Sequence, residues 1–520
     1  MRRVFRSIAL CLCGLVLLCS CEQPGPQPTP SESLLPTPTA SPQPARFSLG
    51  YDPAASLHPI TGDSQVNQEL TGLVYQGLYE LDNTFAPQPV LAADATVSED
   101  ELTWTITLAG DAVFSDGTPL TARHAAACLD QARTSPLYAA RLAWITSVYP
   151  GEDDTVYITL SAANGNLPAL LDIPIVLEPE TGPNGTVPPA PLGTGYYRYV
   201  QSGDRLYLQP NPRHPSAAGL PYDTIPLTPV SDTGERITAF DSGEITAVTT
   251  DFSSPYALSY SGGYEVTDYP TTSLLYVGFN AAAGVCQSSL VRQAFSRALD
   301  RGSLVEVLLS GHGDPAALPV SPLCGEYSEA HAVMLEYDPD AAAQLLAQAG
   351  YALSEEDGLL RGEDGPVEVR LLVNSDNEVR QAVARQFADA LRSLGVTVTV
   401  SRLAWSEYTA ALAAGEFDLY LGEVRLTGDF DLSVLLTGEL NYSGLESDEL
   451  ADALIQWRAT QGVWHSLAAN TLWTQFVRDV PIAAVCFKRG SLLVRWGMVS
   501  DLRPTRANPY YQIEQWTVME

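Results

Sequence analysis

VEVRLLVN (367–374) is a short run of β-branched and apolar residues, which is typical of a buried strand. Apolar side chains then recur every three or four residues over 379–394 and a glycine follows, which predicts a helix and its C-terminal stop. VTVTVSRL (396–403) predicts a second strand, WSEYTAALAAG (405–415) a short helix and FDLYLGEVRL (417–426) a third strand. Strands and helices that alternate in this way form a βαβαβ unit, so the segment predicts a parallel sheet and an α/β fold.

The third strand changes from apolar to charged along one face. Leu419 and Leu421 share that face with Glu423 and Arg425, because side chains two residues apart point to the same side of a strand. The loop TGDFDL (427–432) follows directly. Open α/β sheets usually bind ligands at the carboxyl ends of their strands. We therefore predict that Glu423 and Arg425 contact a ligand.

The upstream half has a different pattern. TWTITL (103–108) and TVYITL (155–160) alternate apolar and polar residues, and YYRYV (196–200) and RLYLQP (205–210) flank a Gly-Asp turn. These segments predict antiparallel strands. At roughly 150 residues per domain, the chain length predicts about three domains.

Residues 1–20 have the pattern of an export signal. Three arginines precede an apolar stretch of 11 residues, Ile8 to Leu18, which is too short to span a bilayer. A small residue stands immediately before Cys21, as in the lipobox of bacterial lipoproteins, so Cys21 is predicted to carry a lipid. An ordinary secretory signal cut nearby is the alternative. Residues 21–45 are rich in proline, with eight in the 24 positions from 22 onward, and predict an extended tether.

The charge excludes one large class of function. The chain has 28 basic and 61 acidic residues, a formal net charge of -33, and Lys488 is its single lysine. A field this negative repels polyanions, so nucleic acid is excluded as a partner. The sequence has no GxSxG, HExxH or Walker-type motif, and its six histidines are widely scattered. No catalytic residue, resident metal or cofactor is therefore predicted.

Four cysteines lie beyond the signal segment: Cys128, Cys286, Cys324 and Cys486. None of them forms a CxxC pair, which disfavours a zinc or thioredoxin-like site. Export permits a disulfide, and Cys286 and Cys324, the pair closest in sequence, are the candidates for one, although spacing alone does not establish a bridge. Four buried free thiols are the alternative.

Five ordered segments resemble a single protein family. They are VYQGLYELDNTFAPQPVLA (74–92), TWTITLAGDAVFSDGTPLTARHAA (103–126), PLGTGYYRY (191–199), the two runs YVGFNAAAG and VRQAFSRALDRGSLVEVLLSG within 276–311, and YDPDAAAQLLAQAGY (337–351). In this order they resemble the bacterial extracellular solute-binding proteins of family 5, the dipeptide- and oligopeptide-binding components of ABC importers. The resemblance extends over roughly residues 47 to 520.

The resemblance implies a two-lobed, periplasmic-binding-protein-like fold of class II that closes on its ligand. It places lobe I at 46–271 and 491–520, with an extra subdomain at about 73–188, and lobe II at 272–490. It also implies an extracytoplasmic, lipid-anchored monomer that binds a peptide or similar small solute and works with ABC permease subunits.

The same resemblance assigns a role to the loop after the third strand. Asp429 matches the aspartate that holds the α-amino group of the ligand in peptide-binding members, and Asp431 is a second candidate. A turn-capping role for either aspartate is the alternative. The sequence departs from the dipeptide-binding pattern at Leu426, where that pattern has tryptophan, and at Leu432, where it has proline, so the identity of the ligand stays open.

Aromatic and amide side chains complete the predicted cleft, because large flat rings can cover an apolar ligand at modest entropic cost. These candidates are Trp405, Tyr408, Tyr51, Tyr276 and Asn280. Three tryptophans at helical spacing are predicted to lie in the core: Trp457, Trp464 and Trp473.

Two classes of function remain open from the sequence. The first is a solute-binding lipoprotein that delivers a peptide-like ligand to an ABC importer. The second is a signalling receptor or an enzyme on the same fold, and the solute of the first class could also be a nickel complex, haem or an oligosaccharide.

Overall fold

The structure is a computed structural model that describes residues 47–178, 190–253 and 259–519. The predicted signal peptide, Cys21 and the tether lie outside the described residues. Within those ranges, no helix combines the length and the apolar character that crossing a bilayer requires.

The strands differ greatly in length, from two to sixteen residues. They are β1 (Leu49–Tyr51), β2 (Tyr79–Leu81), β3 (Pro87–Pro89), β4 (Ala92–Val97), β5 (Thr103–Leu108), β6 (Ile145–Pro150), β7 (Thr155–Leu160), β8 (Tyr197–Ser202), β9 (Arg205–Pro210), β10 (Ile225–Pro229), β11 (Ala247–Thr250), β12 (Tyr264–Phe279), β13 (Gly313–Pro315), β14 (Ala352–Leu353), β15 (Leu360–Gly362), β16 (Gly365–Pro366), β17 (Glu368–Asn374), β18 (Thr397–Leu403), β19 (Leu419–Arg425), β20 (Ile482–Arg495), β21 (Val499–Ser500) and β22 (Thr517–Val518).

The helices are between four and eighteen residues long. They are α1 (Gln65–Glu69), α2 (Thr71–Val74), α3 (Ala122–Ala132), α4 (Thr233–Ser242), α5 (Ser289–Arg297), α6 (Arg301–Leu308), α7 (Glu329–Ala332), α8 (Pro339–Gln348), α9 (Glu378–Ser393), α10 (Trp405–Ala413), α11 (Ser433–Leu436), α12 (Asp448–Ala459) and α13 (Gly462–Asp479).

The predicted βαβαβ unit is confirmed. Strand β17 pairs in parallel with both β18 and β19, and helices α9 and α10 make the two connections. Helix α9 begins where the Asn377 side chain accepts a hydrogen bond from the backbone N–H of Arg380, and it ends before Gly395, whose φ is +85°. Val383, Phe387 and Leu391 on its periodic face are buried. The apolar spacing of the sequence therefore produced this helix and its packing.

The upstream strands are antiparallel, as predicted. The order β4-β5-β7-β6 forms one four-stranded sheet, which with α3 we call the subdomain. A second sheet has the order β1-β10-β9-β8, in which only the β1 and β10 pair is parallel. The third large sheet has the order β11-β20-β12-β19-β17-β18, with β13 added at β20.

The described residues form two large hydrophobic cores and a small third cluster around Phe240. The first core draws on residues between Phe47 and Ala247 and between Leu492 and Trp516, and the second draws mainly on residues between Leu274 and Phe487. We call these regions the first and second lobes. Strand β20 contributes Leu492 to the first core and Phe487 to the second, so it passes between the lobes beside its long antiparallel partner β12. The predicted limits of 46–271 with 491–520, 272–490 and the 73–188 subdomain stay our proposal for the domain borders.

The predicted disulfide between Cys286 and Cys324 is wrong for this structure. Both are buried free thiols, as are Cys128 and Cys486. Cys286 lies in the second core beside Arg292, whose side chain donates to its backbone carbonyl, whereas the Cys324 thiol donates to the carboxylate of Glu326. Their separate surroundings give each thiol its own packing role, and nearness in sequence alone did not bring them together.

The C-terminal segment packs on the first lobe through a partly buried acid. Asn508 Nδ2 donates to Glu80 Oε1 at 2.9 Å, and burial raises the pKa of Glu80 to about 7 from its ordinary 4.5. Because this pKa is raised on folding, the stabilising effect of protonated Glu80 is full below about pH 4.5 and is lost as the pH rises through about 7.

Glu80→Gln should therefore stabilise the protein more at pH 8 than at pH 5, by about 2 to 3 kcal/mol at the higher pH. The glutamine keeps an acceptor for Asn508 and carries no charge to bury. Urea unfolding at the two pH values measures the difference, with the exposed Glu99→Gln as the matched control. An equal gain at both pH values would contradict the assignment.

Candidate functional site

The loop Thr427–Leu432, which we call the acidic loop, follows β19 and lies against the first lobe. Asp429 is 7% exposed, and its carboxylate accepts hydrogen bonds from Thr427 Oγ1 at 2.5 Å and from Asn164 Nδ2 at 2.8 Å. Burial raises the pKa of Asp429, and the neighbouring Asp431 raises it further. Among the described residues, no basic side chain forms an ion pair with Asp429. Its charge is therefore held by neutral donors alone.

Asp431 makes a second contact between the lobes. Trp144 Nε1 of the first lobe donates to Asp431 Oδ2 at 3.1 Å, and Arg458 Nη1 lies 3.8 Å from the same oxygen. The Arg458 guanidinium also stands 4.2 Å above the Trp144 ring and donates to the Ala163 carbonyl. Asp431 also accepts hydrogen bonds from the backbone N–H and the hydroxyl of Ser433. It therefore stabilises the turn that follows it as well as the contact between the lobes.

A cavity of about 240 Å³ lies at this contact. Its polar lining includes Asp429 and Glu326, and its apolar lining includes Phe85 and Phe430, whose rings meet edge to face at 4.9 Å. The His465 ring lies 3.6 Å from the Glu326 carboxylate, and the interaction between these two side chains is the main cause of the lowered pKa of Glu326. None of the described residues that line the cavity is basic. The cavity therefore presents two carboxylates and an apolar wall.

The buried indole of Trp457 also lines this cavity. Its Nε1 has no hydrogen-bond acceptor among the described residues. A buried donor without a partner is costly to the folded protein.

The single lysine lies in a network of charges at the long strands. Lys488 Nζ contacts Glu423 Oε1 at 3.0 Å and Asp251 Oδ2 at 2.9 Å. Arg380 Nη2 reaches the other oxygen of Glu423 at 3.0 Å. Glu423, which we predicted to contact a ligand, is therefore fully paired with side chains of the protein. Arg425, two residues further, is exposed at the end of β19.

The predicted aromatic and amide residues are not all brought together. Tyr408 is buried and donates its hydroxyl to the Leu421 carbonyl, and Asn280 donates to the Phe417 carbonyl. Tyr276 is buried in the second core. These three side chains therefore support the second lobe.

The other two predicted residues, Trp405 and Tyr51, do not line the cavity at the acidic loop. Trp405 is 54% exposed and stacks on Tyr408 at 5.7 Å between ring centroids. Tyr51 lines a separate cavity of about 220 Å³ with Asp52 and Arg205 in the first lobe.

Sequence reasoning missed the residues of the first lobe at this site. Trp144 and Asn164 reach the acidic loop from 287 and 265 positions away in the chain. Lys488 carried a signal, since it is the single lysine, and its partner Glu423 was among the predicted residues, whereas its partner Asp251 carried no signal. Among the described residues, no group of three or more His, Cys, Asp or Glu side chains is arranged to hold a metal ion.

Comparisons with known proteins agree on one family. The family model described as "Bacterial extracellular solute-binding proteins, family 5 Middle" matches residues 86–434. Oligopeptide-binding protein AppA of Bacillus subtilis is 28% identical over 221 residues, which are 42% of this chain and 40% of that protein. The chain spans about half the length of the curated relatives it matches.

Solved structures share the fold. The periplasmic murein tripeptide-binding protein MppA, in its unliganded open form, has a TM-score of 0.76 at 19% identity, over 92% of this chain and 98% of that one. NikA from Brucella suis, in complex with Fe(III)-EDTA, has a TM-score of 0.67 at 18% identity, over 91% and 99%. The predicted two-lobed, periplasmic-binding-protein-like α/β fold is thereby confirmed. Since the family model also matches well over half of the chain, this protein belongs to the bacterial extracellular solute-binding proteins, family 5.

Proposed function

We propose that this protein captures a peptide-like solute between its two lobes and delivers it to the permease of an ABC importer. The observation that carries the proposal is the buried Asp429, which lines a cavity between the lobes and is held by neutral donors alone. A buried carboxylate of this kind gains most from a cation that also donates hydrogen bonds. The α-ammonium group of a peptide has both properties.

The size and lining of the cavity suit a small solute with an apolar part. Its volume of about 240 Å³ lies just below the range of roughly 300 to 1,000 Å³ that is common for small-molecule sites. Phe85 and Phe430 offer an apolar wall. The acidic net charge of -33 also favours the approach of a cationic group.

The relatives support a solute-binding function and leave the identity of the solute open. AppA is named for oligopeptides and MppA for a murein tripeptide, while NikA was solved with Fe(III)-EDTA. A nickel complex or another chelate, haem or an oligosaccharide is thus the alternative solute. An envelope signalling receptor or an enzyme on this fold is the alternative class of function.

Native mass spectrometry of the protein purified from an exporting host tests the proposal. We expect one bound solute per protein, with a mass and fragmentation pattern of a short peptide, that is released unchanged on denaturation. A bound chelate, haem or sugar would replace the peptide assignment. Conversion of added tripeptides to products would replace binding with catalysis.

We also propose that Cys21 carries a lipid and that residues 21–45 tether the lobes to the outer face of the cell membrane, where the protein acts as a monomer. The lipobox-like residues before Cys21 and the proline-rich run after it support this placement.

Cys21→Ser should move the protein from the membrane fraction to the soluble fraction. The melting temperature of the folded lobes should stay the same, because the described residues contain their own cores. Fractionation and immunoblotting measure the change. Cys19→Ser is the matched control, since bulky Leu18 precedes Cys19. Unchanged membrane association of Cys21→Ser would contradict the anchor.

A further inference from the structure

Asn164 lies in the loop that follows β7 of the subdomain, and its side chain reaches the acidic loop of the second lobe. Its Nδ2 donates to Asp429 Oδ2 at 2.8 Å, and the residue is 3% exposed. Its Oδ1 accepts the backbone N–H of Asn166 at 2.9 Å. An amide oxygen accepts hydrogen bonds and an amide NH₂ group donates them, so these two partners fix which way the side chain faces. Asn164 therefore directs a donor at Asp429.

Contacts on both sides hold the backbone of this loop in place. Trp104 Nε1 of β5 donates to the Asn164 carbonyl at 3.2 Å. The backbone N–H of Gly165 donates to the Arg458 carbonyl at 2.7 Å, and a side chain at Gly165 would collide with the Thr460 carbonyl. The loop thus rests directly on the C-terminal end of α12, and the amide of Asn164 reaches the acidic loop only while the two lobes are packed together.

The Asp429 carboxylate has unused acceptor capacity on one of its oxygens. Its Oδ1 accepts the Thr427 hydroxyl at 2.5 Å and the backbone N–H of Asp431 at 3.3 Å. Its Oδ2 accepts from Asn164 alone among the described residues. An ionised carboxylate has about four lone-pair sites, two on each oxygen. Oδ2 can therefore accept one more donor, and Asp429 lines the cavity at the contact between the lobes.

The surroundings of Asp429 make its charge costly. Burial raises the pKa of Asp429, and the charge of Asp431 raises it further, while the hydrogen bonds from Thr427 and Asn164 lower it. Thr427 belongs to the acidic loop itself. Asn164 is therefore the side-chain donor that the first lobe supplies to this acid.

The other charged groups near Asp429 have partners of their own. Arg458 lies 3.8 Å from Asp431, and His465 lies 3.6 Å from Glu326, which lines the same cavity. Each of these basic groups is thus placed beside an acid other than Asp429, and neither replaces the donor that Asn164 supplies.

We propose that Asn164 is a positioning residue of the solute site, which holds the Asp429 carboxylate ionised and oriented so that Oδ2 can accept the ammonium group of the solute. A hydrogen bond to a charged group contributes more than one between neutral groups. Packing of the first lobe against the acidic loop thus prepares the acid for its ligand. This inference rests on the proposed solute-binding function and adds a residue of the first lobe to it.

Asn164→Leu removes the donor and nearly keeps the size of the side chain. We expect it to bind an equimolar library of free-amine tripeptides about tenfold or more weakly than the wild type at pH 7. The loss should grow as the pH falls to 5, because without the amide the pKa of Asp429 rises and the carboxylate takes up a proton at a higher pH. Glu326 and His465 are present in both proteins, so their titration cancels in the ratio. Equilibrium dialysis of the full-length proteins measures it.

Asn211→Leu is the matched control. Asn211 is also buried in the first lobe, and its Oδ1 accepts the backbone N–H of Arg213, again two residues further on. Its Nδ2, however, donates to the neutral Gly195 carbonyl. Asn211→Leu should lower the free energy of unfolding and leave the affinity for the tripeptides unchanged at both pH values.

Two results with tripeptides would overturn the inference while leaving peptide binding intact. One is an unchanged affinity of Asn164→Leu, and the other is a loss of the same size at pH 7 and pH 5, which a merely structural role predicts. If Asn164→Leu does not fold, Asn164→Ser decides by the same criteria, because serine can still accept the Asn166 N–H but carries no amide.

If the wild type binds no tripeptide, the peptide proposal fails on its own, and urea unfolding decides on Asn164. The free energy that Asn164→Leu costs should then be larger at pH 8, where Asp429 is charged, than at pH 5. In the Asp429→Asn background the cost should be equal at the two pH values. A cost that varies with pH in the same way in both backgrounds, or that varies in neither, overturns the inference.

Discussion

Asp429→Asn should lower the affinity for free-amine tripeptides by about 30-fold or more, which corresponds to about 2 to 5 kcal/mol of binding free energy. The substitution keeps the size of the side chain and removes the charge that we propose holds the ammonium group. The wild-type carboxylate receives only neutral donors, from the side chains of Thr427 and Asn164 and the backbone N–H of Asp431, so the ligand supplies the one strong cationic partner. Calorimetric titration with the bound peptide identified by mass spectrometry measures the loss.

The exposed Asp364→Asn is the matched control for the change in net charge. Its affinity should equal that of the wild type. A turn-capping role of Asp429 predicts the opposite result for Asp429→Asn, namely a lower free energy of unfolding with unchanged affinity. Urea unfolding of the empty protein, beside the titration, separates the two roles.

Lys488→Met should lower the free energy of unfolding by about 3 kcal/mol. The substitution leaves Glu423 and Asp251 without the ammonium group that lies 3.0 and 2.9 Å from them, and only Arg380 remains to pair with Glu423. The side chains of Lys488 and Glu423 are mostly buried, so water compensates little of the loss. The midpoint of urea unfolding should fall accordingly.

Arg385→Met on the exposed face of α9 is the matched control, and it should change the free energy of unfolding by no more than about 0.5 kcal/mol. Adding Glu423→Gln to Lys488→Met should recover part of the loss, because it removes one of the unpaired charges. A loss in Lys488→Met no larger than in the control would show that the network contributes little to stability.

The local pattern of the chain predicted the second lobe well. Helix α9 and strands β17 to β19 follow directly from apolar spacing and a glycine stop, since both are properties of neighbouring residues. The same reasoning failed for Trp464, which was predicted in the core and is 71% exposed, although Trp457 and Trp473 are buried. Trp457 lies in α12 and the other two lie in α13, where a spacing of nine residues, or about 2.5 turns, places Trp464 and Trp473 on opposite faces of the helix.

The contacts of the site could not be predicted, because they join residues that are far apart in the chain. Asn164 meets Asp429 and Trp144 meets Asp431 only after the subdomain has packed against the second lobe. Spacing carries no information on such pairs, so the acidic loop could be named from the sequence and its partners could not.

We propose that a solute with a free ammonium group is held between the lobes at the acidic loop. Competition between equimolar free-amine and N-acetylated tripeptide libraries for the wild-type protein, followed by native mass spectrometry, tests it most directly. We predict complexes of one peptide per protein in which free amines exceed acetylated peptides by about tenfold or more, since acetylation removes the charge that pairs with Asp429. Equal occupancy by the two libraries, or the absence of any peptide complex, would contradict the claim.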